Sequence, residues 1–505
     1  MPNFATTATT ATTAATVASC GAASRASIRM ALVASLVCWL PACVSPQDQS
    51  GDALTRAAEV MGSTRLKTLR YVGEGTGYTF GQAYQPGGAW PKITLHSMIR
   101  TIDFDSTSMR DEIVLSRAEP QGGGGYPMSG QQRNDQFVSG DLAWNQTGTT
   151  ATPNPISVSD RLHQLWITPH GVLKAAQRNG ATSHPSGGGS VISFTQPGDL
   201  QATITIGADG LVKQVDSTFP HPVLGDTRAV TVYSDYRDVD GIKFPMHVRQ
   251  SMGGFPVLDL DIKEVQANVG VAIPIPKAAQ NQDQPVTTEK LADGVWFVGG
   301  GSHNSVAIEM ADHLVLVETP LGDARSKAVI ESVRQLASDK PIRFVVNSHQ
   351  HFDHSGGVRL AVTEGATIVT QAANVPYFEQ VFAQPNTIRP DRMANSGKRL
   401  RLTPVEDKLE LGDASRSIEI HRIAGSVHSN SLLMVYLPKD KLLIEADAFT
   451  PGAPNSPPPT TPNPNHLNLI DNIERLNLAV DRIAPLHGRV VALSELYAVA
   501  GRATR

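Results

Sequence analysis

The sequence predicts an α/β protein in two parts: a β-rich first half, then a C-terminal α/β sandwich with helices outside packed sheets. Three observations lead there. The 505 residues exceed what one ordinary hydrophobic core accommodates. The chain is 40% hydrophobic with 43 Gly and 34 Pro, a content that favours many turns and short strands. Beyond residue 290 the pattern changes from strand–turn–strand to strand alternating with helix.

The N-terminus is set apart first. Residues 5–24 are low-complexity Ala/Thr/Ser text that cannot build a packed core. Arg25 and Arg29 precede the apolar run 31–40 (ALVASLVCWL), too short to span a bilayer and suited to a signal-peptide core. The exit Leu40-Pro41-Ala42-Cys43 resembles a bacterial lipobox. That resemblance implies lipidation of Cys43, residues 1–43 as a leader, and an exported protein, periplasmic or membrane-anchored in a bacterial envelope. Secretion after Ala42, or a start at Met30, are the alternatives. All three cysteines, Cys20, Cys38 and Cys43, fall in this leader, so the body has neither a disulfide nor a cysteine ligand. Net charge is −4 with no basic run, which argues against a nucleic-acid partner.

Residues 52–270 form the expected β-rich domain. A helix is expected over 53–61, and strands at 202–206 (ATITI) and 229–233 (AVTVY). Within 236–249, Asp240-Gly241 between two β-like segments signals a hairpin. That text resembles the curved sheets of outer-membrane lipoprotein-carrier-like domains, a resemblance that covers one hairpin and says little about activity. His96, His163, His170, His184, His221 and His247 are scattered there and read as packing or surface histidines. Residues 271–287, around the polar, Pro-containing IPIPKAAQNQDQPV, read as a linker. The hydrolase-like domain follows at 288–505, with strands at 291–298, 306–310, 314–317 and 342–346 and a helix at 324–336.

The chemistry lies just past the strand at 342–346. There Asn347-Ser348-His349-Gln350-His351-Phe352-Asp353-His354-Ser355-Gly356-Gly357 brings three imidazoles and a carboxylate within six positions. Imidazole nitrogen and carboxylate oxygen are both suited to zinc. Alternation points His349 and His351 the same way, while a turn after Phe352 aims Asp353 and His354 at a second ion. Gly356 and Gly357 are expected to let the backbone bend into the next helix.

The motif His-x-His-x-Asp-His resembles that of the metallo-β-lactamase superfamily, and the resemblance runs from about residue 291 to the C-terminus. Three downstream segments match it. Gly425-Ser426-Val427-His428-Ser429 resembles the segment giving the third histidine, LLIEADAF at 442–449 the strand ending in the bridging aspartate, and Pro485-Leu486-His487-Gly488 the segment giving the last histidine. The resemblance implies an αββα sandwich in which His349, His351 and His428 hold one ion, Asp353, His354 and His487 the second, and Asp447 bridges. It implies a dinuclear zinc hydrolase, iron or manganese being possible, whose paired cations activate water and in which Asp353 and Asp447 act in catalysis. Position 351 is His rather than the Glu of the superfamily's di-iron flavoproteins. Glu318 stands where the family commonly has a supporting aspartate, which puts that support in question.

The expected substrate is a small ester, lactone, thioester or lactam. His303, in a loop between early strands, and His466, in the Pro-rich stretch 450–466, are candidate substrate contacts. His313 and His421 read as structural. Two alternatives stand beside this reading. One is a mononuclear iron oxygenase of the same fold; the other is an envelope lipid- or ligand-binding protein with a vestigial metal domain.

Overall fold

The computed structural model describes residues 46–503 other than 120, 124–129, 282, 455 and 458, and the side chains from residue 53 onward. The leader, with Cys20, Cys38, Cys43 and the lipobox-like exit, lies outside the described residues. The described residues form one compact unit.

Among the described residues, strands between Thr68 and Ala267 make a single thirteen-stranded sheet. It is an antiparallel meander folded back on itself. The first strand, Thr68–Tyr78, pairs with the last, Phe255–Ala267, placing Leu69 opposite Ala267. Asp240 and Gly241 form the expected two-residue turn, both with positive φ (48° and 82°), as a type I′ hairpin demands. The helix expected over 53–61 runs Pro46–Val60. It packs Leu54 and Ala57 with Leu165, Trp166, Val172 and Leu173 of two further helices into the core of this sheet. The text read as a linker contains a short helix, Lys277–Gln280, whose Ala279 is fully buried, so this stretch packs down as it crosses between sheets.

The C-terminal half is a two-sheet sandwich. A seven-stranded sheet runs from Thr287–Ala292 to Leu402–Val405, and a six-stranded sheet from Lys408–Gly412 to Val491–Ala492. Residues 291–298 are not one strand. Thr287–Ala292 and Val295–Gly299 form a hairpin about Asp293-Gly294, with Gly294 at φ 68°. An Asp-Gly pair between apolar neighbours is a hairpin signal that outweighs the apolar run.

The inner strands explain their own composition. Leu314–Val317 (LVLV) is buried on both faces and therefore apolar throughout. Leu314 and Leu316 face the helices Asp323–Leu336 and Val358–Thr363, meeting Val329, Ile330 and Leu360. Val315 and Val317 face the second sheet, meeting Ile420, Val435 and Ile444. Each buried side chain contributes about 1.5–3 kcal/mol. Helices on the far side complete the αββα order, with Leu469, Ile473 and Leu496 packing against the second sheet.

Candidate metal centre

Most of the candidate ligands follow the carboxyl ends of parallel strands. Leu314–Val317 and Ile342–Val346 run parallel and release Glu318 and the His349 segment side by side. In the other sheet Leu442–Glu445 and Arg482–Pro485 run parallel, and Asp447 and His487 each lie two residues beyond their strand. The loop after Ser417–Arg422 supplies His428. Such strand ends are where an open α/β sheet places its ligands. Here two sheets aim theirs at one point.

His349, His351 and His428 form the first donor group. His349 Nε2 is 2.8 Å from His351 Nδ1 and 3.2 Å from His428 Nε2. An ion held about 2.0–2.1 Å from each nitrogen in a tetrahedron separates them by roughly 3.3 Å, so the three nitrogens fit one such ion. All three rings are essentially buried. Burial first, then neighbouring histidines, lowers the pKa of His349 well below its usual value and that of His351 to about 3; burial lowers His428 too. The rings are therefore neutral near pH 7 and able to offer lone pairs to a cation.

The second group is Asp353, His354 and His487, joined by His303. His354 Nε2 is 3.1 Å from His487 Nε2 and 3.7 Å from Asp353 Oδ2. Asp447 stands between the groups. Its Oδ2 is 2.8 Å from His354 Nε2, 3.5 Å from His349 Nε2 and 3.6 Å from His428 Nε2, while its Oδ1 is 3.2 Å from His487 Nε2. Burial would raise the pKa of Asp353 and Asp447, but His354 and its neighbouring histidines hold both well below the usual carboxylate range. Reciprocally, Asp447 and Asp353 outweigh burial and raise His354 well above its ordinary value, and Asp447 raises His487.

Supporting hydrogen bonds fix the tautomers. The Ala83 carbonyl can only accept, so His351 Nε2, 2.9 Å away, carries the proton and Nδ1 faces the ion site. The Glu318 carboxylate accepts from His354 Nδ1 at 3.0 Å, which leaves His354 Nε2 turned towards Asp447. Glu318 thus does reach the site. It is fully buried at φ 73°, a left-handed conformation rare for a non-glycine, and this aims the longer side chain.

Phe352–Ser355 is the expected turn, a single helical turn capped by His351. The two glycines after it serve a different purpose from the one expected. Gly356 (φ −62°) and Gly357 (φ −101°) have ordinary backbones. A Cβ at Gly356 would lie 1.7 Å from the Leu321 carbonyl oxygen, and one at Gly357 would lie 1.9 Å from Ser326 Oγ. Close approach of chains, not a bend, requires them.

His303 is brought to the site: its Nε2 is 3.1 Å from Asp353 Oδ2 and its ring packs against His487. His466 lies in the first turn of the helix Pro464–Arg475, not in the Pro-rich loop, with its ring against Phe449. It belongs to none of the donor groups among the described residues. His313 and His421 bond to Asp312 and Glu419, away from the centre. Gln82 and Ala83 escaped sequence reasoning; Gln82 bonds to Asp353 from 271 positions earlier, in a loop without any local signal.

Residues 298–487 match the model of the metallo-β-lactamase superfamily. The C-terminal half thus carries that fold, with His/Asp groups that can hold divalent metal. Three solved structures illustrate the likeness. A metallo-β-lactamase from Pontibacter korlensis is 16% identical, covering 43% of this chain and 98% of its own, with a TM-score of 0.33. One from Hirschia baltica is 21% identical (44% and 100%, TM-score 0.33). An inverting sec-alkylsulfatase from Pseudomonas sp. is 18% identical (43% and 40%, TM-score 0.32). No curated protein matches the chain.

Proposed function

We propose that this chain is a dinuclear metal-dependent hydrolase of a small ester, lactone, thioester or β-lactam, with zinc as its resident ion. The observation that carries the reading is the position of Asp447. One carboxylate lies within 3.6 Å of nitrogens from both donor groups, which supports a shared ligand between two ions. His349, His351 and His428 would hold the first ion, and Asp353, His354 and His487 the second. The all-imidazole and carboxylate set, free of thiolate, suits zinc and also admits iron or manganese. When bound, a pair of such ions supplies Lewis acidity and lowers the pKa of water to near neutrality.

The chain's own residues do the remaining work. His349, His351 and His354 are fully buried, whereas Asp353, Asp447, His487 and His303 are half-buried. Substrate therefore approaches on the second side, and the rear of the site is closed to water. Asp353 and Asp447 stay ionised and balance positive charge there. His303 borders the open side, its ring held between Asp353 and Ser302.

The test is hydrolysis of chromogenic ester, lactone, thioester and β-lactam substrates by zinc-reconstituted protein, beside His351→Ala and Asp447→Ala. Wild-type protein should turn over at least one class, with a loss of roughly a hundredfold or more in each variant. Undiminished hydrolysis in either variant would sink the assignment.

A further inference from the structure

The N-terminal half reaches the candidate metal centre through residues 79–91, which connect strands Thr68–Tyr78 and Lys92–Asp103, with Gly122 and His221 beside them. We propose that this connection is a working part of the centre: Gln82 is a positioning residue for Asp353, and the Ala83 carbonyl selects the metal-facing nitrogen of His351. The inference rests on the dinuclear reading above and extends it to the half of the chain that the superfamily match leaves out.

Three sets of contacts carry it. Gln82 Nε2 donates to Asp353 Oδ1 at 2.8 Å. With that oxygen held, Oδ2 is the one presented to His354 and His303. The Ala83 carbonyl accepts from His351 Nε2 at 2.9 Å and from Gln350 Nε2 at 2.7 Å, so it fixes ring and neighbour together. On the other side of the centre, Asn430 N donates to the Tyr84 carbonyl, and Tyr84 Oη donates to the Ser426 carbonyl. Both bonds bracket His428. One loop therefore braces a carboxylate of the second group and two histidine segments of the first.

The loop is itself held. The Phe352 ring, from within the metal motif, sits among Phe80, Trp90 and His221 of the N-terminal sheet, with centroids 4.6–5.7 Å apart. Phe352 N donates to the Gly81 carbonyl. Gly81 has φ 87°, and a Cβ there would lie 2.2 Å from the Phe352 ring, so only glycine allows this approach. Residues 121–123 close the assembly. The Arg117 guanidinium binds the carbonyls of Gly122 and Gly123, Gly122 N reaches the Val427 carbonyl, and Gly123 N reaches the Gln82 carbonyl. A loop this tightly tied to ligand segments at both ends has the character of an outer coordination sphere, whose loss costs about ten- to a hundredfold in metal affinity.

The experiment is cobalt(II) titration of the full-length protein, following the visible spectrum and the affinity of each ion, for wild type, Gln82→Ala and Gly81→Ala. Gln82 is half-buried and belongs to none of the hydrophobic clusters, so the metal-free variant should melt close to wild type. Gln82→Ala should weaken the second cobalt ion about ten- to a hundredfold and alter its spectrum, leaving the first ion unchanged. Gly81→Ala pushes the loop off Phe352 and should perturb the first ion's spectrum as well. If Gly81→Ala does not fold, Gln82→Ala decides alone. Two ions in wild type, with Gln82→Ala identical in affinity and spectrum, would overturn this inference and leave the hydrolase standing. Fewer than two ions in wild type would overturn the dinuclear reading and this inference with it.

Discussion

Glu318 Oε2 lies 3.0 Å from His354 Nδ1 and 2.6 Å from Ser348 Oγ, so one buried carboxylate orients a histidine of the metal centre and ties it to the motif strand. Replacing Glu318 by Gln keeps the shape but sets an amide donor either against Asn347 Nδ2 and Ser348 N, which bond Oε1, or against His354 Nδ1–H and the Ser348 hydroxyl, which share Oε2. Relief by flipping the tautomer of His354 would put a proton on the nitrogen that faces Asp447. Glu318→Gln should therefore fold yet bind its second ion about ten- to a hundredfold more weakly, measured by competition with a chromophoric chelator. Glu318→Ala, which leaves Ser348 and His354 without this partner, should also lose about 1–3 kcal/mol of stability in urea unfolding.

His354 and His487 titrate in the opposite direction from the histidines of the first group, so the two ions should respond differently to pH. His349, His351 and His428 have lowered pKa values and are already neutral near pH 7. His354 and His487 are raised by the aspartates and remain protonated further up the scale. An ion entering the second group must displace those protons. Its affinity should climb as pH rises through the ordinary histidine range and beyond it, by up to about tenfold per pH unit for each proton displaced, while that of the first ion stays nearly level. Calorimetric titration in buffers of different ionisation enthalpy counts the protons released. Equal release for both ions would contradict the assignment of the groups.

Gly356 tests how closely the loops behind the centre approach. An alanine Cβ would fall 1.7 Å from the Leu321 carbonyl, and Leu321 N holds the Asp353 carbonyl at 2.7 Å. Gly356→Ala should destabilise the metal-free protein by about 1–3 kcal/mol or more, since neither chain can retreat without strain. Because the retreat moves Asp353, bound metal should fall with it. Urea unfolding read beside metal content checks both.

The histidine and aspartate groups that the structure brings together were legible in the sequence because each candidate ligand sits in a short, spaced motif next to an apolar strand. His349 to His354 follow Ile342–Val346, and Asp447 and His487 follow strands of their own. The apolar runs likewise announced the buried strands of the sandwich. The hairpin at Asp293-Gly294 was hidden by apolar residues on both sides. The role of Glu318 turned on a positive φ that residue type does not reveal. The contributions of Gln82 and Ala83 depend on a loop far away in sequence, and one of them is a backbone carbonyl that any residue carries. Local text encodes ligands; their supports come from tertiary contact.

The account turns on two ions sharing Asp447, and the most direct measurement is the number of metal equivalents per chain after chelation and reconstitution with zinc, in wild type and Asp447→Ala. The account predicts two ions per wild-type chain and fewer than two in the variant. Two ions in both, or no more than one in wild type at saturating zinc, would contradict it.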